Sequence, residues 1–596
     1  MRLLRSLFWY ATAFTTLSEA LTTSLSGERT TIARLRRDVE ERKWRLAKRD
    51  TDPALLYPEH NFSTPIDHFH NESMYEPHSN GSYPMRYWFD ATYYKPGGPV
   101  IILQAGEAPA TGRLPILQKG ILHQLAIATH GIGVVMEHRY YGTSMPTPDL
   151  STENLRFLTT QQALADAAYF AQNIAFPGLE MYGDLTSKNT AYLGYGGSYS
   201  GAFNAFLRVQ YPHVFWGTIS SSGVTKAIYD YWEYYEPVAE YAPQPCIAAQ
   251  RTLTHIVDNI LIGKNSTSLT MQLKNAFGLG DVTYNNDFAN VLSYGIGNWQ
   301  SLNWDPAVSS PEFYNYCANI SDADVLYPAT ESLRTAASSL ITQSGYNANS
   351  SIVNQMLNYI GYVNLTAIEP CTASNMTQDQ CFSNHNVTFY HQDSLADSWR
   401  SWPYQYCTQW GFLQTGSGMP SISQHLLRPS NETTSRPLPQ VEHKLTPPPT
   451  PQPGVPAGEE PLISRTLDLA YESLICNYAF GIYGPPDTDA VNKYGGYNIS
   501  YPRLAIIDGE WDPWRPATPH AFGYGAQPRF STASEPFILI PQAVHHWDEN
   551  GVFSNQTTAT FPPPVIADTQ KMEIMFVMEW MEEWALKCLI QGGGCS

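Results

Sequence analysis

Basic residues are scarce in this sequence. Lys and Arg number 35 against 54 Asp and Glu, a formal charge of −19 over 596 residues. That deficit argues against nucleic acid, whose affinity comes largely from cations neutralising phosphates, and it disfavours anionic membrane surfaces. Charge of either sign is sparse at 15%, while apolar residues reach 43% and aromatics 13%. A disordered chain has the opposite balance, so a large globular protein is expected, too long for one small core. Beyond the first twenty residues no long apolar run occurs, and no internal repeat is visible. None of the eight cysteines stands in a CxxC pair and no HExxH occurs, so neither a metal nor a cofactor is expected.

Residues 1–20 have the layout of a secretory signal. Arg2 and Arg5 give the positive end, Leu7 to Leu17 is apolar, and Ser18-Glu19-Ala20 is a small-x-small cleavage site. The apolar stretch falls well short of the roughly 20 residues a spanning helix needs. A basic run from Arg34 ends in Lys48-Arg49, which reads as the processing site of a propeptide over 21–49. Its loss together with the signal removes 11 basic and 5 acidic residues and leaves a more acidic chain. Asn61, Asn71, Asn80, Asn265, Asn319, Asn349, Asn364, Asn375, Asn386, Asn431, Asn498 and Asn555 each open an Asn-x-Ser/Thr triplet, so N-linked glycans are expected. An even number of cysteines in an oxidising compartment suggests disulfides. The expected destination is extracellular, with a vacuolar or lysosome-like compartment as the alternative.

Two β-rich regions flank a different middle. Pro99 to Ala105, Gly131 to Glu137, Ala191 to Gly196 and Gly217 to Ser221 are short apolar runs bounded by Gly or polar residues, the pattern of buried strands. Thr160 to Ile174 has helical spacing from a Thr cap. Strands alternating with helices imply a parallel sheet. The pattern returns at Arg503 to Ile507 and Phe537 to Pro541, before a last amphipathic helix near Thr569 to Leu589. The expected division is a core over 50–228 and 484–596, with a helical, cysteine-bearing lid inserted over 229–483. Within the lid, 428–460 is rich in Pro, Ser and Thr and offers too little apolar surface to offset its ordering entropy.

The chemistry is concentrated in three segments. Leu193-Gly194-Tyr195-Gly196-Gly197-Ser198-Tyr199-Ser200-Gly201 runs from a strand through small residues into a helix. This is the layout of a nucleophile elbow, whose turn is so tight that its neighbours must be small; Ser200 stands where the usual motif has Gly. A serine hydroxyl needs a base and an orienting acid, in the chain order Ser, Asp or Glu, His. Asp508, Glu510 and Asp512 follow one late strand, and His545 and His546 follow the next. By position alone any of the three acids and either histidine could serve.

The motifs EHRYYG (137–142), FLT (157–159) with QALAD (162–166), GGSY (196–199), GEWDPW (509–514) and the pair His545-His546 occur in this order. Together they resemble the serine peptidase family of lysosomal Pro-Xaa carboxypeptidase, dipeptidyl peptidase II, thymus-specific serine protease and secreted fungal prolyl endopeptidases. The resemblance runs from about residue 60 to the C-terminus, outside the Pro-rich stretch. It implies an α/β-hydrolase core with a helical insertion, Ser198 as nucleophile, Asp512 as acid and His545 as base. It also implies a disulfide between Cys407 and Cys476, because Tyr404 to Thr408 is similar to a family motif. The N–H of Tyr199 is one expected oxyanion donor, and the loop Gln104 to Ala108, with Gly106, is the expected source of the second. That loop departs from the family's Gly-Asn-Glu-Gly turn.

Cleavage after proline is what the resemblance implies, and Trp514 is placed to wall a slot for a pyrrolidine ring. Glu107 and His546 are the other expected substrate-binding residues. Where Pro-Xaa carboxypeptidases continue the histidine pair with Leu-Asp-Leu-Arg, this chain has Trp547-Asp548-Glu549-Asn550. The missing Arg tilts the expectation slightly toward endopeptidase action, with carboxypeptidase close behind. The expected partners are peptide or protein substrates, with a homodimer allowed and nucleic acid and membrane excluded. The same triad also serves esterases and lipases, which would cleave esters without turning over Pro peptides, and the fold could carry a non-catalytic binding glycoprotein.

Overall fold

The computed structural model describes residues 53–396, 398–416 and 460–590. The expected signal over 1–20, the propeptide over 21–49 with Lys48-Arg49, the Pro-rich stretch short of Glu460, Asn431 and Cys595 lie outside the described residues.

An eight-stranded sheet forms the frame. Its strands are β1 (His60–Pro65), β2 (Ser82–Asp90), β3 (Val100–Gln104), β4 (Ile132–Met136), β5 (Tyr192–Gly197), β6 (Gly217–Ser221), β9 (Leu504–Gly509) and β10 (Phe537–Ile540). The short strands β7 (Ile228–Asp230) and β8 (Gly411–Leu413) pair separately, in parallel. The spatial order is β1-β2-β4-β3-β5-β6-β9-β10, antiparallel across β1-β2-β4 and parallel from β4 onward. Residues of β3, β4, β5, β6 and β9 are buried throughout. Strands covered on both faces need continuous apolar or small side chains, which is why these runs stand out in the sequence. By contrast β2 alternates buried and exposed positions along its first half.

Helices cover both faces. On one side α1 (Leu114–Lys119), α2 (Ile121–Thr129) and the final helix α7 (Pro564–Ile590) bury Leu117, Leu122, Phe576 and Trp580 against Ile101, Leu103 and Ile507. On the other, α3 (Thr160–Asn173) and α4 (Tyr199–Gln210) bury Leu164, Phe170, Phe203 and Phe206 against Val100, Ile102 and Ile506. The start of α3 is fixed by Thr159, whose Oγ1 accepts the Gln162 N–H at 3.2 Å and so satisfies one orphan donor of the first turn.

Between β6 and β9 the described regular elements are helical apart from β7 and β8, and include α5 (Gln244–Asp258) and α6 (Ser350–Val363). Three disulfides staple this region: Cys246–Cys317, Cys371–Cys381 and Cys407–Cys476. The first and third close loops of 71 and 69 residues. Loops of that length correspond to ~4 kcal/mol each in the chain-entropy account of cross-linking. Among the described residues, no helix is long and apolar enough to cross a membrane.

Candidate active site

Parallel pairing sets the carboxyl ends of four strands side by side. Gly197 of β5 is opposite Ser221 of β6, Ser221 is opposite Ile507 of β9, and Gly509 is opposite Ile540 of β10. Loops leaving β5, β9 and β10 therefore meet at one edge, and they carry Ser198, Asp512 and His545.

Ser198 stands between β5 and α4 with φ 62° and ψ −126°, a backbone conformation that an L-residue holds only under constraint. Its N–H donates to the Ser221 carbonyl at 2.9 Å. The turn tolerates no bulk. A Cβ on Gly196 would sit 2.2 Å from Ser200 Oγ, and one on Gly197 would lie 3.0 Å from His546 Cγ. Ser200, the departure from the usual motif, is accommodated because its Oγ donates to the Gln104 carbonyl at 2.6 Å.

His545 Nε2 lies 2.8 Å from Ser198 Oγ, and His545 Nδ1 lies 2.8 Å from Asp512 Oδ2. The other Asp512 oxygen accepts the Trp514 N–H at 2.8 Å. An ionised carboxylate only accepts, so Nδ1 carries the proton and Nε2 presents its lone pair to the hydroxyl. Burial lowers the His545 pKa; Asp512 opposes that, and the neighbouring His546 adds to it. The remaining candidates point elsewhere. Asp508 Oδ2 lies 2.6 Å from His520 Nδ1, and Glu510 accepts the Gln542 N–H at 2.9 Å. His546 pairs through Nδ1 with Glu549 at 2.8 Å. Burial opposes its protonation, but Glu549 outweighs burial and the His546 pKa rises.

Gly106, at φ 73°, lies against the start of α4: a Cβ there would be 3.3 Å from Ser200 Cβ and 3.9 Å from the Ser200 nitrogen. The loop after β3 and the backbone after Ser198 thus adjoin. Glu107 is buried in the same loop. Trp514 is buried within an aromatic cluster, stacked on Tyr231 at 5.1 Å with Tyr234 and Phe412 at its edges, and its Nε1 donates to Gln300 Oε1 at 2.7 Å.

Segment 299–304 of the insertion is fastened to the loops bearing Asp512 and His545. Trp299 Nε1 donates to the Trp511 carbonyl at 2.7 Å, Trp304 Nε1 to the Trp547 carbonyl at 2.8 Å, and Trp547 Nε1 back to the Leu302 carbonyl at 2.9 Å. Ser198 and Asp512 are fully buried, and His545 is 4% exposed. Nothing in the sequence pattern singled out this clamp, since its donors are ordinary tryptophans and its acceptors are backbone.

The structure also brings the other motifs into contact with one another. Arg139 of EHRYYG and Asp166 of QALAD form a buried bidentate pair at 2.6 and 2.6 Å, and Arg139 also donates to the Phe157 carbonyl at 2.8 Å. Glu137 accepts Arg86 Nε and Nη2 at 2.8 and 2.6 Å and the Ala110 N–H at 3.0 Å. Burial drives the His138 pKa down to about 4, so the ring is neutral. Its Nδ1 donates to the Arg139 carbonyl at 2.8 Å, leaving Nε2 to accept from the Tyr199 hydroxyl at 2.9 Å. Gln405, in the segment before Cys407, donates to the same Tyr199 oxygen at 2.9 Å and accepts from Tyr141 at 2.5 Å.

A mostly parallel sheet in this order, with a serine on a strained turn after β5, defines an α/β-hydrolase. Residues 64–431 match the family model of serine carboxypeptidase S28. A "Probable extracellular serine carboxypeptidase" of Arthroderma benhamiae is 49% identical over 554 residues, covering 93% of this chain and 72% of that one. "Serine protease vicPb" of Bipolaris victoriae is 27% identical over 510 residues, 83% of this chain and 85% of its own. The "Thymus-specific serine protease" of Mus musculus is 24% identical over 475 residues, 78% of each. The chain belongs to the S28 family and is a serine-type peptidase.

Proposed function

We propose that the protein is a secreted, glycosylated peptidase that cleaves on the carboxyl side of proline, with Ser198 as nucleophile, His545 as general base and Asp512 as its orienting acid. The observation that carries this reading is the hydrogen-bonded chain Asp512–His545–Ser198, at 2.8 Å in both links. His545 takes the Ser198 proton as the oxygen attacks the peptide carbonyl, then delivers it to the departing amine. Asp512 holds the tautomer and stabilises the imidazolium. The Tyr199 N–H and a donor from the Gly106 loop receive the charge that develops on the carbonyl oxygen. Water then repeats the sequence on the acyl-enzyme and releases Ser198.

Enclosure favours carboxypeptidase over endopeptidase action. A site with buried Ser198 and His545 under a clamped insertion admits a chain end more readily than the middle of a folded protein. The insertion is read as a lid over 229–483, and its aromatic cluster around Trp514 as one wall of the proline site. The lowered His545 pKa supports work in acid surroundings, because the base is then neutral below the ordinary imidazole range. All eleven sequon asparagines among the described residues are exposed or half-buried, which suits glycosylation.

The deciding experiment incubates the secreted protein and its Ser198→Ala variant with a peptide mixture and identifies new termini by mass spectrometry. Loss of single residues after a penultimate proline, absent in the variant, is the expected result. Internal cuts after proline would make the enzyme an endopeptidase. Ester turnover without peptide cleavage would replace the reading with an esterase.

A further inference from the structure

The loop joining β1 to β2 holds a cluster that the peptidase chemistry leaves unused. Asp67, His70 and His78 each present one ligand atom, and these atoms all lie within 4.8 Å of one another. The Asp67 carboxylate is buried and oriented from behind. Its Oδ1 accepts the Phe69 N–H at 2.9 Å and Gln162 Nε2 at 2.8 Å, which leaves Oδ2 facing His78 Nδ1 at 2.7 Å. Gln162 is itself held, since its Oε1 accepts the His68 N–H at 2.9 Å. The His70 and His78 rings lie 5.4 Å apart, His78 half-buried and His70 open to solvent.

Charge makes the arrangement informative. The Asp67 side chain is almost wholly buried. A buried carboxylate calls for a cation beside it. The ion-pair partner of Asp67 among the described residues is the His78 imidazole.

We propose that Asp67, His70 and His78 form a binding site for a divalent transition-metal ion of the Zn²⁺ type, with water completing a four-coordinate shell. Two imidazole nitrogens and one carboxylate oxygen are a donor set that suits Zn²⁺. The carboxylate is oriented by outer hydrogen bonds, as metal-bound carboxylates are. Exposed His70 gives the ion a way in. The bound ion would tie the β1–β2 loop to itself and, through Gln162, to α3.

The test uses the full-length secreted protein, stripped with a chelator and dialysed at pH 7.5. Zn²⁺ is titrated by calorimetry and Co²⁺ by its visible absorption, against wild type, His70→Ala, His78→Ala and the double variant. The expected result is one equivalent bound per chain, affinity at least tenfold weaker in each single variant, and a Zn²⁺-dependent rise in melting temperature that the variants lack. His78→Ala removes a partner of Asp67 and could disturb the loop, whereas His70 is solvent-exposed, so His70→Ala carries the comparison. Binding of equal stoichiometry and affinity in wild type and double variant would overturn the proposal. So would a wild type that binds neither ion.

Discussion

Glu573 on α7 is fully buried, and both its carboxylate oxygens lack hydrogen-bond partners among the described residues. Burial, with the nearby Asp548 adding to it, pushes its pKa well above the ordinary carboxyl value. Asp548 is itself raised to about 6 by burial, against hydrogen bonds from Ser221 and Tyr195 at 2.6 Å each. A raised folded-state pKa means that the native protein keeps a proton which the unfolded chain releases. The associated stability is complete below the unfolded carboxyl value and is withdrawn as pH climbs toward the folded one, at ~1.4 kcal/mol per pH unit for each such group. Glu573→Gln keeps the shape and removes the titration. A buried amide shifts stability by a constant, so the informative quantity is the slope against pH. Between pH 5 and 6.5 the variant should gain ~2 kcal/mol on wild type, or about 2 °C in melting temperature for a chain this long. Scanning calorimetry of both proteins at several pH values in that window measures it. Parallel melting curves, with a gap that does not change with pH, would refute the reasoning.

His546→Gln should move the acid limb of the kcat/KM profile to higher pH, because the variant loses the cation that helps lower the His545 pKa and leaves Glu549 to raise it. An unmoved limb would show that the neighbouring charge does not reach the base. Arg139→Met leaves Asp166 buried beside Tyr83 and His68 without its guanidinium; breaking one partner of a buried pair costs ~3–5 kcal/mol, read as a lower melting temperature. The double variant Arg139→Met/Asp166→Asn should lose less than the sum of the single losses, and strict additivity would deny the coupling.

How much could be read in advance depended on which physical signal each feature leaves. The parallel strands left a strong one: Gly217–Ser221 coincides with its expected run, and the others differ at their ends by one or two residues. Strands β1 and β2 were not anticipated. They form the antiparallel edge, and β2 buries Tyr83 and Met85 beside exposed Pro84 and half-buried Arg86, a proline and a charge that obscure a strand pattern. The final helix begins five residues earlier than its apolar spacing suggested, at Pro564, a residue suited to a first helical position. At the site, sequence order alone left three acids and two histidines open. Geometry pairs Asp512 with His545 and gives Asp508 to His520 and His546 to Glu549. The segment 299–304 was invisible because indole-to-carbonyl bonds follow no local pattern. The Asp67, His70 and His78 grouping follows no familiar metal-motif spacing, so only the fold brings it together.

The family motifs make mechanical sense once the Tyr199 hydroxyl is placed at their centre. His138 accepts its proton and Gln405 donates to its oxygen, so one phenol is held by the strand-end motif and by the insertion together. His138 is in turn fixed by the Arg139 carbonyl, and Arg139 by Asp166 on α3, so the chain of contacts runs from the sheet edge to the residue after Ser198. Tyr199 is fully buried, and its side chain cannot turn without breaking both bonds. A backbone N–H that is to meet developing charge must be aimed before the charge appears, because a donor that reorganises during the reaction gives back part of what it stabilises. On the proposed role of the Tyr199 N–H as oxyanion donor, residues that never approach the peptide would bear on the rate by removing the freedom of that amide. Gln405 brings a residue from between β6 and β9 into that support.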